Sequence, residues 1–284
     1  MRAAGKLTRR RDRGWTVRTC SKAILGAEEI EEFEAELGTK HLPELLFGNT
    51  FLRIEHETTG VQFTFNALEA LRAWLQEDLP PIRIKVAEDW QSSRTEALKE
   101  FNVKSVDYDW TFTTPFGGHC GVGGTGGSAG WEETGEKIDR ELLMRREPIL
   151  FYDDVTFYES ELDDNGDAKL SAKLRVMPSC WYVLMRYWVR VDDILVRVRD
   201  TRYFCRLPTD FEMHDGSGPA APAVLRETKH FEATWEDLAN ASDPNLLRNA
   251  HKDADASAAT FESLAPDHVK HFKVEKLAIV PAAP

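Results

Sequence analysis

Hydrophobic and polar residues alternate most regularly between Pro148 and Arg206, and this period of two predicts a β-meander. PILFYDDVTFYESEL leads into DDNGD, with Asn165-Gly166 at the expected turn tip, and KLSAKLRVM follows as far as Pro178. An Asn-Gly pair between alternating segments favours a tight hairpin, because both residues accept a left-handed backbone. The next runs, CWYVLMRYWVRV and ILVRVRDTRYF, flank Asp192-Asp193. A two-residue loop there sets Val191 against Ile194 and Trp181 against Phe204.

In that register one face collects Trp181, Val183, Met185, Tyr187, Val189 and Val191 against Phe204, Arg202, Asp200, Val198, Val196 and Ile194. Asp200 and Arg202 are charged intruders on an apolar face. Either they pair with each other or they face a partner, because an unpaired buried charge is strongly unfavourable. The opposite face sets Trp188 across from Arg197, as a cation–π pair, and Arg186 across from Arg199. Like charges so apposed call for an anion between them; arginines snorkelling over a solvated face are the alternative. Leu170 to Arg206 holds Lys173 and seven arginines against three aspartates, in a chain whose net charge is -12.

Elsewhere the periodicity is mixed. Ala27 to Leu37 places Ile30, Phe33 and Leu37 at helical spacing with glutamates on the other faces, and Gly38 follows as a stop. FLRIEHETTGVQFTF predicts a hairpin around Thr58-Thr59-Gly60, and Asn66 with Glu69 caps a helix from Ala67 to Gln76. A short strand at Ile82 to Ala87 and a helix beginning in Glu88 to Glu100 are expected next. VDYDWTFTT then predicts a strand with Tyr108, Trp110 and Phe112 on one side and Asp107, Asp109, Thr111 and Thr113 on the other. Such an aromatic stripe is either core or a partly covered anchor for a peptide. Gly117 to Gly130 is expected as a flexible insertion (117–130); its formal GxGxxG lacks the flanking strand and helix of a dinucleotide site.

After the meander, Thr209 to Val224 is turn-rich, Leu225 to Ala239 reads as helix and His251 to Ala259 as polar and loosely ordered. Val274 to Val280 closes the sheet. MRAAGKLTRRRDR reads as a disordered basic arm over 1–13, with a nuclear signal or a transit segment left open. The sum is an α+β fold, with antiparallel sheets, a central meander and several flanking helices, in a single domain over 14–284.

Composition narrows the chemistry. The four cysteines lack CxxC spacing and no secretory h-region is present, so reduced thiols in the cytoplasm or nucleus are expected. Cys180 and Cys205 come close at the hairpin end, without a disulfide. No apolar run approaches the ~18 to 20 residues of a membrane span. The acidic balance argues against nucleic acid as a partner of the body of the chain. DDNGD starts like a calcium loop, but Ala168 replaces the glycine and Leu174 the bidentate carboxylate. His268 and His271 lack the spacing of a zinc site and read as a solvated helix, and no GxSxG, Walker or kinase signature occurs. No catalytic set, metal or cofactor is expected.

Several segments taken together resemble the TIP forty-one-like family, also called TOR signalling pathway regulator-like proteins. They are Gly14-Trp15, LPELLFGNTFLRIEH, GVQFTFNALEALR, the Trp90 to Glu96 segment, YDWTFTT, KLSAKLRVMPS, LMRYWVRVDDILVRVRDTR, Leu225 to Glu227 and VEKL, in order along almost the whole chain. The resemblance implies a noncatalytic, inhibitory regulator. It would bind catalytic subunits of type 2A serine/threonine phosphatases in TOR signalling, as a monomer, alone or with an alpha-four/Tap-type partner. It also implies a groove for the phosphatase's C-terminal tail, a segment with acidic and aromatic residues and a free carboxylate. The residues it assigns to that groove are Tyr108, Trp110, Arg175, Arg197, Val198, Asp200 and Arg202, with Glu69 and Ile138 carried over beside them. Arginine suits a carboxylate because its planar fork donates two hydrogen bonds at once. Competing readings are a scaffold that engages another partner through the acidic helix Ala27 to Leu37, and a hydrolase built from scattered His and carboxylates.

Overall fold

Alternating segments become strands where one face finds cover, and here two antiparallel sheets cover each other's inner faces. The computed structural model describes residues 6–80, 82, 110–123, 128–215, 222–263 and 268–280. The first sheet has the order β1-β2-β4-β5-β6: β1 Lys6–Asp12, β2 Trp15–Ser21, β4 Phe51–His56, β5 Val61–Asn66 and β6 His119–Val122. The second has the order β3-β8-β9-β10-β11-β12-β13-β7. Its strands are β3 Leu45–Leu46, β7 Ser128–Glu133, β8 Phe151–Ser160, β9 Gly166–Val176, β10 Cys180–Val191, β11 Leu195–Arg206, β12 Val224–Thr234 and β13 Val269–Val280. The expected meander is β8 to β11, and the fold is α+β as read from the sequence.

The core lies between the sheets. Leu52, Ile54, Phe63 and Phe65 meet Leu174, Trp181, Val183, Tyr187 and Tyr203, all essentially without solvent contact. Each such side chain contributes about 1.5 to 3 kcal/mol by burial. Trp181 packs edge-on against Trp15 at 5.0 Å, and Phe63 lies 5.4 Å from Tyr203. Helices α1 (Ala27–Leu37) and α2 (Ala67–Leu75) form where the periodicity placed them. Gly38 closes α1 in the left-handed region (φ 70°), and the Asn66 side chain accepts from the Glu69 amide at the start of α2. The outer face of the second sheet is covered by α3 (Arg140–Met144) at one end and by α5 (Trp235–Asn240), α6 (Asn245–Ala250) and α7 (Ala254–Phe261) at the other. A short helix, α4 (Asp210–Asp215), follows β11.

Several expectations give way. The β10–β11 loop has three residues, not two: Val191 pairs with Leu195, Trp181 with Cys205 and Trp188 with Val198, and Asp193 is left-handed (φ 58°). The shift moves Asp200 and Arg202 off the core face and brings Arg186 opposite Asp200 instead of Arg199. Opposite charges replace like charges, which favours this register. Trp188 therefore makes no cross-strand pair with Arg197. At the β8–β9 turn the left-handed residues are Leu162, Asp163 and Asp164 rather than an Asn-Gly tip, and the Asn165 amide donates to the carbonyls of Leu162 and Asp163. Cys180 and Cys205 are free and, one position out of register, point to opposite faces.

The basic arm forms β1, paired along its length with β2, instead of a disordered tail. In the Gly-rich segment, β6 pairs with β5 and β7 with β13. Gly118 is needed there: its φ is 109°, and a Cβ would lie 2.4 Å from the Phe65 ring. The segment Leu225 to Ala239 is β12 followed by α5, because pairing with both β11 and β13 outweighs its helix-forming residues. Ala254 to Phe261 is helical, and His271 lies in β13 rather than on a helix. The described part of VDYDWTFTT, from Trp110 onward, is turn and coil, with Phe112 at φ 57°. Its threonines, not its aromatic stripe, are most buried: Thr111 and Thr113 are at 0 % exposure. Without a ladder, its carbonyls are met by tyrosines of the second sheet: the hydroxyls of Tyr187 and Tyr158 donate to Thr111 and Phe112, and that of Tyr203 to Gly117 just beyond. The expected elements at Ile82 to Ala87 and Glu88 to Glu100 lie outside the described residues, Ile82 excepted.

Candidate functional site

The outer face of the second sheet presents, strand by strand, Arg175 and Lys173 on β9, Tyr182, Leu184 and Arg186 on β10, Phe204, Arg202 and Asp200 on β11, and Leu225 and Glu227 on β12. Two apolar clusters cap its ends. Val198, Trp188 and Phe231 lie under α5 to α7, and Cys180, Phe204 and Leu225 lie with Ile138 and Leu142 of the α3 region. Between the caps runs a band of charge and, beside it, an open groove.

The band is internally compensated. Arg186 grips Asp200 with both arms of its fork, Nε to Oδ1 at 2.6 Å and Nη2 to Oδ2 at 2.8 Å. Arg202 donates to Asp200 and Glu227, at 2.8 and 2.7 Å, and to Glu262 just past α7, at 3.0 Å. Arg186 also reaches Asp255 at 2.8 Å, and Lys173 bonds the same carboxylate. Burial alone would lower the Arg186 and Arg202 pKa values, but their acidic partners together outweigh it and raise both, Asp200 foremost, with Asp255 for Arg186 and Glu227 for Arg202. Burial opposes ionisation of Asp255, yet Lys173 and Arg186 hold its pKa below the ordinary carboxylate value. The Tyr182 hydroxyl is pushed up to about 12, chiefly by burial. The expected anion between Arg186 and Arg199 gives way to two: Asp200 serves Arg186 from across the ladder, and Arg199, on the inner face, bonds Glu77 at 2.7 Å.

The groove, about 280 Å³, is lined by Ile138, Arg140, Leu143 and Met144 on one side, Tyr182 and Leu184 on its floor, and Arg202, Glu227 and Glu262 on the other side. Met144 is 74 % exposed. Arg175 is the cross-strand neighbour of both Tyr182 and Tyr152, and makes no hydrogen bond or ion pair among the described residues. It is an uncommitted cation beside the groove, as is Arg140 on the groove's wall, which makes no hydrogen bond or ion pair among the described residues either.

Of the residues assigned from the sequence, Ile138 and Arg202 line this groove, Arg175 flanks it, and Asp200 and Val198 are buried beneath the same face. The others lie elsewhere. Arg197 points inward, bonding Glu232 at 2.5 Å and Thr113 at 2.7 Å. Trp110 belongs to a separate hollow of about 140 Å³ with Leu42, Phe112 and Leu162. Glu69 is on α2, bonded to Arg72, which also reaches Glu36 of α1. Tyr108 lies outside the described residues. Sequence reasoning missed Tyr182, Leu184 and Glu227, because the assumed two-residue loop put Asp200 and Arg202 on the wrong face. The charge complementarity of Arg186 with Asp200 was the signal for the other register. No group of three or more His, Cys, Asp or Glu among the described residues converges as metal ligands.

The model of the TIP41-like family matches residues 45–239. A TIP41-like protein of Arabidopsis thaliana is 39% identical over 257 residues, covering 82% of this chain and 83% of its own. One from Dictyostelium discoideum is 32% identical over 246 residues, covering 84% of each chain. The Saccharomyces cerevisiae protein named type 2A phosphatase activator TIP41 is 34% identical over 238 residues, 79% of this chain and 62% of that one.

Proposed function

Because the chain belongs to the TIP41-like family, we propose that it is a noncatalytic regulator that binds the catalytic subunit of a type 2A phosphatase, taking its C-terminal tail into the groove beside α3. The yeast relative's name carries the phosphatase to this chain as a partner. The observation that carries the tail reading is the pairing of an apolar floor, Tyr182 and Leu184, with the uncommitted guanidinium of Arg175 next to it. An aromatic tail residue suits the floor and a free carboxylate suits the fork. Arg202, already holding three carboxylates, is reassigned from tail ligand to support of the groove wall. The expected inhibition draws no support from the relatives, two of which are named activators, so the reading is of binding, with the sign left to a phosphatase assay. The connection to TOR signalling and an alpha-four/Tap-type partner belong to the same reading.

Calorimetric titration of the chain with a phosphatase tail peptide, as free acid and as amide, tests it. The free acid should bind more tightly, and Arg175→Glu should erase that difference while leaving the thermal midpoint in place. Equal affinity for acid and amide would remove the carboxylate from the interface. Leu184→Arg should block both peptides; unchanged binding by that variant would move the tail to another surface.

A further inference from the structure

The outer face of the first sheet carries an arrangement of opposite character. Arg9 of β1 pairs directly with Arg18 of β2, and Arg18 with Arg53 of β4. The flanking residues Val17, Thr19, Leu52 and Ile54 are buried, so the three arginines share the solvent face in one cross-strand row. With strands about 4.8 Å apart, the row spans roughly 10 Å. Its compensation is slight. Glu55 reaches Arg18 only at 4.0 Å, whereas Arg9 and Arg53 make no hydrogen bond or ion pair among the described residues. The Nε atoms of Arg18 and Arg53 are shielded from solvent and have no hydrogen-bond partner among those residues. Glu57, the next carboxylate along, is engaged by Arg11 at 2.9 Å and by Thr16 at 2.7 Å.

One step further along the same face lies an apolar row, Leu7, Cys20 and Phe51, with Leu7 67 % exposed. Cys20 and Phe51 open into a hollow of about 420 Å³ whose walls include Ile24 and Phe33. Anion-binding and apolar subsites thus sit side by side on a flat sheet. Like charges in direct apposition are destabilising, so the row carries a cost that an arriving anion relieves.

We propose that this face docks an acidic segment of a partner protein, its carboxylates seated on Arg9, Arg18 and Arg53 and an apolar side chain entering the hollow at Cys20 and Phe51. A carboxylate peptide fits better than nucleic acid for two reasons. The row is short, whereas a phosphate backbone needs an extended basic track. The hollow beyond it is also bordered by Glu29 and Glu32 of the acidic helix α1, which would repel a continuing polyanion. The surface is separate from the tail groove, which lies on the other sheet, and stands whether or not that groove takes a phosphatase.

The test uses the full chain and a short fluorescent peptide with a single Glu-Glu-Glu run followed by Leu, read by anisotropy at two salt concentrations, with duplex DNA of matched charge as competitor. The peptide should bind in a salt-sensitive manner. The double variant Arg9→Glu with Arg53→Glu should weaken it roughly tenfold or more, since two exposed ion pairs are lost and repulsion is added. Phe51→Ser should weaken it while leaving the salt dependence unchanged. If charge reversal unfolds the chain, Arg9→Gln with Arg53→Gln makes the same measurement. Absence of peptide binding, equal binding by the folded charge variants, or DNA displacing the peptide at equal charge would each overturn the proposal, the last by making the row a general polyanion surface.

Discussion

On the second sheet Arg186 sits opposite Asp200, whereas on the first Arg18 sits between Arg9 and Arg53. Both are cross-strand rows on outer faces, and they differ in cover and in partners. The second-sheet row is buried, with Asp200 at 0 % exposure, and its cations are met by carboxylates from β11, β12 and the α7 region. The first-sheet row is open to solvent, Arg18 keeping 39% of its side chain exposed, and water does the screening that carboxylates do elsewhere. Burial therefore decides which arginines must find anions inside the chain. The exposed ones are free to find them in another molecule.

The largest expected break in this contrast is Asp200→Ala. It leaves Arg186 and Arg202 buried around a missing anion, and should cost about 3 to 5 kcal/mol in equilibrium denaturation. Asp200→Asn should fall between that variant and the parent, because it keeps an acceptor and loses the charge. A loss below about 1 kcal/mol for Asp200→Ala would mean that the second-sheet network is as expendable as a surface pair.

A smaller effect concerns a group that stays neutral on the inner side of the same sheet. His230 of β12 lies opposite Arg199 and His271, and burial first, then the charge of Arg199, push its pKa down to about 3. The folded value lies below the ordinary 6.5, so the unfolded chain binds a proton over a range where the folded chain refuses it. Stability should be intact above pH 6.5 and fall as the pH drops from there toward about 3. His230→Asn should flatten that part of the profile in denaturant midpoints measured at pH 7.5 and 5; an unchanged slope would remove His230 as its source.

The smallest effect has the opposite sign. Arg18→Glu converts the first-sheet row to alternating charge, and should stabilise the chain by about 0.5 kcal/mol at low salt, the gain fading at high salt. A destabilisation would show that the row is already compensated in the free chain.

The same contrast explains what was legible in the sequence. Period-two alternation located β4, β5 and β8 to β11, and the capping residues located α1 and α2, because those signals are local. The β10–β11 register was not local: one extra loop residue turns over every side chain of β11, and the choice is made by Arg186 meeting Asp200 across the ladder. Strands β1, β6 and β12 were hidden by composition, arginine-rich, glycine-rich and helix-forming in turn, and exist because a neighbouring strand completes their hydrogen bonds. For the site, the sequence singled out Arg202, Arg175 and Ile138 around one groove. The same reading joined to them Arg197 through its charge, Trp110 through the aromatic stripe and Glu69 through the family resemblance, and all three lie elsewhere.

Among the described residues, the two edges of the larger sheet come from the first half of the chain, β3 at Leu45–Leu46 and β7 at Ser128–Glu133, and β7 finds its ladder partner in β13, which begins at Val269. During synthesis β8 to β12 can zip up in order as each hairpin leaves the ribosome, since each strand pairs with the one just made. Strand β7 must wait, made early and seated last. The closing of that edge is the step at which a nascent chain has most time to pair with the wrong neighbour.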